Sequence, residues 1–303
     1  MTELYKRYRP KTLDRVAGNE ETKASLKNML ERKTLPHTLL LHGPSGCGKT
    51  TIARILKDML GCHDLDFKEV NSSSFRGIDT IRDIQRVMNL SPAAGPVRVY
   101  LLDEAHKMSN DAQNAALKML EDTPPHVYFF ICTTDPQKLI KAFLTRCCEM
   151  PVRSLHEKEA IALLERVAKK ESITLSDDIR DQLVDAAQGS ARTLLVLLDK
   201  IANLSDEERT AAIEAKLAEE NEAIDLCRAL IKKESWQKVA GILKNLKGEP
   251  EATRWAVLGY ARSVLLNKES HQAYLVIDCF KNNFYDSKDS GLAHAAFEAI
   301  KGD

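Results

Sequence analysis

The sequence predicts an α/β nucleotide-binding domain built on a parallel sheet, followed by a small helical domain and then an all-helical one. Three observations carry this prediction. From about Pro36 to Val152, short apolar runs rich in β-formers alternate with stretches of helical periodicity, the pattern of βαβ units. The run Gly43-Pro44-Ser45-Gly46-Cys47-Gly48-Lys49-Thr50 fills a complete G-x-x-x-x-G-K-T pattern between one such strand and one such helix. After Pro151 the strand signal ends, and the rest of the chain reads as amphipathic helix.

Strands are expected at His37–His42, Phe67–Val70, Val97–Leu102, Val127–Thr133 and Cys148–Val152. Between them, helices near Lys49–Leu60, Asp79–Asn89 and Asn110–Glu121 are long enough to act as crossovers. Turn formers separate the elements, as in Ser91-Pro92-Ala93-Ala94-Gly95-Pro96 and Thr123-Pro124-Pro125. Helices near Leu155–Glu171, Asp177–Gln188 and Arg192–Asn203 form the second domain. Beyond the charged stretch Ser205–Glu222, helices near Ala223–Lys233, Trp236–Leu246, Glu251–Leu266 and His271–Asn282 form the third. The expected boundaries are 1–153, 154–205 and 206–303. No internal repeat or low-complexity tract interrupts them.

A chain of 303 residues exceeds what one small core organises, in keeping with two or three domains. With 44% hydrophobic and 29% charged residues the balance is that of a globular protein. The formal net charge is zero, so any nucleic-acid contact must come from a locally basic surface. No apolar run reaches the ~20 residues of a membrane span, and MTELYKRYRP lacks the apolar stretch of a secretory signal. The expected compartment is therefore cytoplasmic. Seven cysteines, none paired at C-x-x-C spacing, give no sign of a zinc ribbon or redox pair.

The glycine-rich run lets the backbone curl so that the N–H groups of Gly43 to Gly48 face phosphates, while the helix opening at Lys49, Thr50 and Thr51 adds its positive N-terminal end. Lys49 is expected to reach the β- and γ-phosphates, and the Thr50 hydroxyl to ligate Mg²⁺. The alternative, a turn that merely joins strand to helix, leaves this lysine and threonine unexplained. The second candidate is Val99-Tyr100-Leu101-Leu102-Asp103-Glu104, an apolar strand ending in two acids. There Asp103 can hold the magnesium shell and Glu104 can act as general base toward the attacking water. Acids after strands are common surface caps, and the pairing with the upstream phosphate loop gives these two their meaning. Asp103-Glu104-Ala105-His106 also spells the DEAH box of some helicases, but no other helicase motif accompanies it and the match reads as accidental.

With these residues the chain resembles the AAA+ superfamily. Within it, the likeness is to clamp-loader ATPases: the bacterial polymerase III gamma/tau subunit, the replication factor C small subunits and their phage counterparts. The likeness runs over the whole chain, weakening to length and helix pattern from Asn221 onward. Tyr5-Lys6-Arg7-Tyr8-Arg9-Pro10, with Val16-Ala17-Gly18-Asn19-Glu20, is similar to the segment that packs around adenine in that family. This implies cofactor contacts from Tyr8, Arg9, Pro10 and Val16. Taken alone, the same segment reads as an ordinary basic arm. Arg76-Gly77-Ile78-Asp79-Thr80-Ile81-Arg82 is similar to a helix whose last arginine faces DNA phosphates, which implies that role for Arg82 against the plainer reading of a solvated face. Ile131-Cys132-Thr133-Thr134-Asp135-Pro136 resembles the sensor-1 stretch, with Thr134 at the sensing position beside the γ-phosphate or attacking water. Thr145-Arg146-Cys147 stands where the family carries S-R-C, which implies that Arg146 is an arginine finger serving a neighbour's ATP. Gly189-Ser190-Ala191-Arg192 resembles sensor 2, placing Arg192 over the γ-phosphate of its own subunit.

The gamma/tau subunits insert a four-cysteine zinc module between the phosphate loop and the acids, where this chain has only Cys62, so by this feature it looks closer to the phage and replication factor C proteins. The resemblance implies an ATPase with ATP and Mg²⁺ as cofactors. Its expected partners are other clamp-loader subunits in a homo- or hetero-oligomeric, pentameric spiral, a sliding clamp and primer-template DNA, with no membrane. The rival readings are another AAA+ DNA remodeller, of Holliday-junction or initiator type, and a stator subunit that binds ATP poorly.

Overall fold

The computed structural model describes residues 3–70, 78–246, 249–267, 269–284 and 287–301. It contains two compact units, Met1–Leu204 and Ser205–Asp303.

The first unit is organised by a five-stranded sheet in the order β2-β3-β4-β1-β5. The strands are β1 (Thr38–His42), β2 (Phe67–Val70), β3 (Arg98–Leu102), β4 (Val127–Thr133) and β5 (Cys148–Pro151). Every pairing is parallel. The predicted strands differ from these by no more than a residue at either end, and the ladder explains the trimming. The His37 carbonyl still accepts from Phe129 N–H, and Val152 N–H still donates to His42, just outside the assigned strands. Because both faces are covered, β1, β3 and β4 are mainly apolar and their alternate residues feed two cores. Leu40, Tyr100, Leu102, Phe129 and Ile131 belong to one, and Leu39, Leu41, Val99, Leu101, Phe130 and Cys132 to the other.

Among the described residues, the helices that accompany the sheet are α1 (Leu4–Arg7), α2 (Glu20–Glu31), α3 (Lys49–Met59), α4 (Ile78–Val87), α5 (Asn110–Glu121) and α6 (Lys141–Leu144). Helices α4 and α5 supply Ile81, Ile84, Ala112, Ala116 and Met119 to the first core, and α3 supplies Ile52, Ala53, Ile55 and Leu56 to the second. The sequence does not announce α2. Its Asn19 start is a left-handed residue with no capping hydrogen bond, and the Asn19 amide instead ties down the Arg153 backbone through bonds of 3.2 and 2.8 Å. Helices α7 (Glu157–Lys170), α8 (Asp177–Ala187) and α9 (Ala191–Ile201) complete this unit, packed through Leu164, Val167, Leu183, Leu194 and Leu198. Ser176 and Ser190 cap α8 and α9 through their hydroxyls, as the spacing of serine before an apolar run demands.

The second unit holds α10 (Asp206–Ile231), α11 (Trp236–Asn245), α12 (Pro250–Asn267), α13 (His271–Phe280) and α14 (Lys288–Lys301). The sequence predicts a helix near Ala223–Lys233 after the charged stretch, whereas α10 runs continuously from Asp206. Glu, Ala and Lys propagate a helix without an apolar stripe, and Ser205 and Glu208 cap each other at its start. Helix α14 is also unannounced, because its buried face is mostly alanine: Ala295, Ala296 and Ala299 lie between Leu292 and Ile300. Buried Arg254 pairs with Glu251 and donates to the carbonyls of Phe280 and Lys281, closing the end of α13.

At the base of the sheet Asp66 substitutes for regular structure in the loop before β3. Its carboxylate accepts the N–H groups of Ala93, Ala94 and Gly95 at 2.6 to 3.0 Å. Burial opposes its ionisation, but these donors and nearby Arg98 outweigh that and hold the carboxyl at about 2. A carboxylate held this low contributes stability that is present above its unfolded value of about 4 and is lost as the pH falls through about 2. Asp66→Ala is expected to cost about 2 kcal/mol in urea denaturation at neutral pH. The gap between wild type and variant is expected to close as the pH is lowered toward about 2. A gap constant with pH would mean that the ionised carboxylate contributes nothing.

Candidate nucleotide-binding site

The parallel sheet delivers the reactive residues to one edge. The loop after β1, the acids after β3 and the threonines ending β4 all leave carboxyl ends of strands, where open α/β sheets bind ligands. The loop is pinned to its neighbours. Gly43 N–H donates to the Thr133 carbonyl at 3.2 Å, and at a φ of +147° any Cβ on Gly43 would lie 1.9 Å from the Val152 oxygen. Gly46, with φ at +76°, lets the start of α9 dock on the loop, since a Cβ there would lie 2.1 Å from Ser190 Oγ. The Arg192 N–H then donates to the Gly46 carbonyl at 3.4 Å, which brings the Arg192 side chain to the cleft.

Lys49 lies at the bottom with 6% of its surface exposed. Its Nζ donates to the carbonyls of Gly43 and Pro44 at 2.8 and 2.7 Å. Burial pushes its pKa down against the pull of Cys132, Cys47, Glu104 and Asp103. A buried ammonium held only by neutral acceptors calls for an anion, and the adjoining turn of backbone N–H groups suits a phosphate chain. Beside it the Thr50 hydroxyl donates to Asp103 Oδ2 at 3.0 Å, while Asp103 Oδ1 accepts Glu104 N–H at 3.0 Å. A hydroxyl and a carboxylate in contact form the oxygen-only donor set that suits Mg²⁺, so the residues fit the cofactors implied.

Around this floor the cleft is lined by Ser45, Gly46, Cys47, Gly48, Thr50, Thr51, Asp103 and Glu104. Its upper wall takes Tyr8, Arg9, Pro10 and Val16 from the N-terminal arm, and Arg192 from α9. Gly43 and Pro44 contribute through the carbonyls that hold Lys49 rather than as lining. Tyr5 and Ala17, from the arm segment likened above to the one around adenine, also line the cleft, and the sequence misses Leu163, Arg166 and Leu195 beside them. The Tyr5 ring stacks under the Arg192 guanidinium, 5.6 Å away. Tyr8 donates its hydroxyl to Glu171 at the end of α7, and Arg7 binds the same carboxylate, tying the arm to the helices that roof the cleft. Burial, with Arg54 and Arg192 nearby, pushes the Arg9 guanidinium down, a sign of positive charge in excess.

Three predicted residues stand apart from the cleft lining. Thr134 lies 3.5 Å from His106 Nδ1, beyond Glu104. Arg146 follows α6 by two residues and is held by the Ala142 carbonyl at 2.6 Å and by Glu121, while its buried Nε has no hydrogen-bond partner. Arg82 is exposed on α4, 3.4 Å from Asp79; Arg76 and Gly77 of the same motif lie outside the described residues.

Among solved structures, the RuvB Holliday junction branch migration motor of Thermotoga maritima superposes with a TM-score of 0.59 at 19% identity, covering 74% of this chain and 79% of that one. This is the AAA+ fold. At that identity the likeness is one of fold. The family model described as the DNA polymerase III delta subunit matches residues 63–156. The tau/gamma subunit of DNA polymerase III from Haemophilus influenzae is 32% identical over 251 residues, 75% of this chain and 36% of that protein. The tau subunit from Escherichia coli is likewise 32% identical over 252 residues, 75% of this chain and 39% of that one. The chain thus spans well under half of the curated relatives it matches. Those relatives belong to the clamp-loader group that its motifs resemble. Among the described residues there is no group of three or more His, Cys, Asp and Glu that could hold a metal ion.

A buried cation without a counter-charge weakens the empty fold. Lys49→Met is expected to raise the Tm of the nucleotide-free protein by about 2–4 °C and to abolish the further rise on adding ATP. A fall in the nucleotide-free Tm, or a retained ATP effect, would return Lys49 to a structural role.

Proposed function

We propose that this chain is an ATPase subunit of a sliding-clamp loader, using ATP binding and hydrolysis to place a ring-shaped clamp on primer-template DNA. The observation that carries the reading is a cleft complete but for one group. Lys49, Thr50, Asp103, Glu104 and Arg192 converge, while Arg146 lies outside the cleft with part of its guanidinium unsatisfied. In this reading the loop N–H groups and Lys49 bind the phosphates, and Tyr8, Arg9, Pro10 and Val16 enclose the adenine end. Mg²⁺, held by Thr50 and Asp103, would neutralise charge on the β- and γ-phosphate oxygens. Glu104 accepts the proton of the attacking water, Thr134 senses the γ-phosphate, and Arg192 pairs with it in cis.

Arg146 then completes a neighbour's site, so that hydrolysis reports assembly. The proposed division is an ATPase domain over 1–153, a lid over 154–205 and a collar over 206–303 that joins subunits. Similarity to tau/gamma subunits over three quarters of the chain, 75%, supports the clamp-loader assignment over other AAA+ remodellers. Arg82 faces DNA phosphates in this reading, within a spiral of such subunits.

Arg146→Ala is expected to bind ATP nearly normally but to lose about 10³-fold in DNA- and clamp-stimulated hydrolysis. Mixed with Glu104→Gln subunits it regains part of that rate, wherever an intact Arg146 faces an intact Glu104. Normal turnover of the variant, or a defect unchanged in every mixture, would remove the trans-acting role. For the DNA surface, Arg82→Ala is expected to weaken primed-DNA binding equally across sequences and to lower the salt slope by about one counterion. An unchanged slope would leave Arg82 as a solvated residue.

A further inference from the structure

His106 occupies a position that the proposed chemistry does not use. It lies in the short 3-10 turn Ala105–Lys107 after β3, entered through Glu104, whose φ of 56° is left-handed. That turn carries the His106 ring back toward the carboxylate, with Nε2 3.4 Å from Glu104 Oε2. The opposite ring nitrogen, Nδ1, is 3.1 Å from Thr133 Oγ1 and 3.5 Å from Thr134 Oγ1. The side chain is 11% exposed, so these contacts define most of its surroundings.

The surroundings of the ring favour one tautomer, because the Glu104 carboxylate oxygen beside Nε2 accepts and does not donate. Thr133 Oγ1 accepts the N–H of Asp135 at 3.1 Å, which leaves its own proton free to be donated to His106 Nδ1. An accepting Nδ1 requires the single proton of a neutral imidazole to sit on Nε2, facing Glu104. Burial keeps the ring neutral by pushing its pKa down, with Lys107 and Lys138 assisting against the pull of Glu104 and Asp135. Lys107 Nζ also lies 3.6 Å from Glu104 Oε2. Both contacts fall on one carboxylate oxygen, and neither engages Oε1.

We propose that His106 is a positioning residue for Glu104, fixing the carboxylate through Oε2 so that Oε1 faces the water, and joining it through one imidazole to the threonines at the end of β4. The inference rests on the reading of Glu104 as general base. It gives the DEAH tetrad a mechanical meaning in place of an accidental one. The base and the proposed γ-phosphate sensor share a single ring, so a change of partner at Thr134 is felt at Glu104 without passing through the nucleotide.

The test uses the full chain with ATP, Mg²⁺ and primed DNA, comparing kcat with ATP affinity. Glu104→Gln is measured first, and retained turnover in that variant overturns the reading of the base itself. With that reading standing, His106→Ala is expected to lower kcat by up to about a hundredfold at unchanged ATP affinity. His106→Gln, whose amide N–H can reach Oε2, recovers most of the loss. Thr133→Val lowers kcat in wild type but has no further effect beside His106→Ala. Nitrogen-15 spectra of histidine-labelled protein are expected to show His106 as the Nε2–H tautomer, with that resonance moved by Glu104→Gln. An unchanged or raised kcat in His106→Ala, a loss of ATP affinity equal to the loss of rate, or an Nδ1–H tautomer would each overturn the proposal.

Discussion

The site depends on a buried ammonium for which the chain supplies no dedicated carboxylate partner. Lys49 gives its protons to two carbonyls of the loop that precedes it, and the nearest acids are otherwise engaged. A lysine in an ordinary buried ion pair would already be satisfied and would gain little from a phosphate. Here the unpaired charge is a standing cost of the empty fold, offset when an anion arrives. Nucleotide binding and stability of the cleft are therefore one linked quantity.

That arrangement constrains the rest of the first unit. The loop has to reverse direction within hydrogen-bonding reach of β4 and of the residue after β5, and Gly43 is the point where no side chain fits. The start of α9 must come down on Gly46 for Arg192 to reach the cleft, so the helices after the sheet are geared to the phosphate loop by backbone contact. On the opposite side, Arg7 and Tyr8 grip Glu171. Three segments distant in sequence thus close over one small volume, and displacement of any one of them changes the electrostatics felt by the other two.

How much of this was legible in the sequence depends on how local each constraint is. The phosphate loop is readable because positive-φ backbone and close approach require glycine at fixed intervals, and Asp103-Glu104 because a buried strand must end before an acid can be exposed. Strands β1, β3 and β4 are readable because cover on both faces leaves a mainly apolar run, whereas the edge strands β2 and β5 are short and carry Lys68, Glu69 and Glu149. Helices α2, α10 and α14 are less readable. One starts without a cap, one is continued by charged helix formers, and one buries alanine, so each lacks the periodic apolar stripe. Leu163 and Arg166 reach the cleft only through tertiary packing, and no spacing rule signals them. His106 lies between these cases. Its identity is visible in the tetrad, but its meaning depends on Thr133, whose place beside it is set by the pairing of β3 with β4.

The distribution of positive charge links chemistry to assembly. Within the chain, Lys49, Arg9 and Arg192 converge on the volume proposed for the phosphates and adenine, so binding is provided for in cis. Hydrolysis adds a different demand, because charge grows on the transferred group as the bond to the leaving oxygen breaks, and stabilisation there must exceed that in the ground state. Cations already paired with the bound nucleotide are poorly suited to this, since they stabilise both states. Arg146 is held instead by Glu121 and a helix carbonyl, with one nitrogen unsatisfied, away from its own cleft. Placed against a neighbour's nucleotide it would act on the transition state alone, and only in a correctly assembled ring. In the proposed reading such a subunit would bind ATP readily and hydrolyse it slowly until its neighbour is in register, the order of events that loading a ring onto DNA would require.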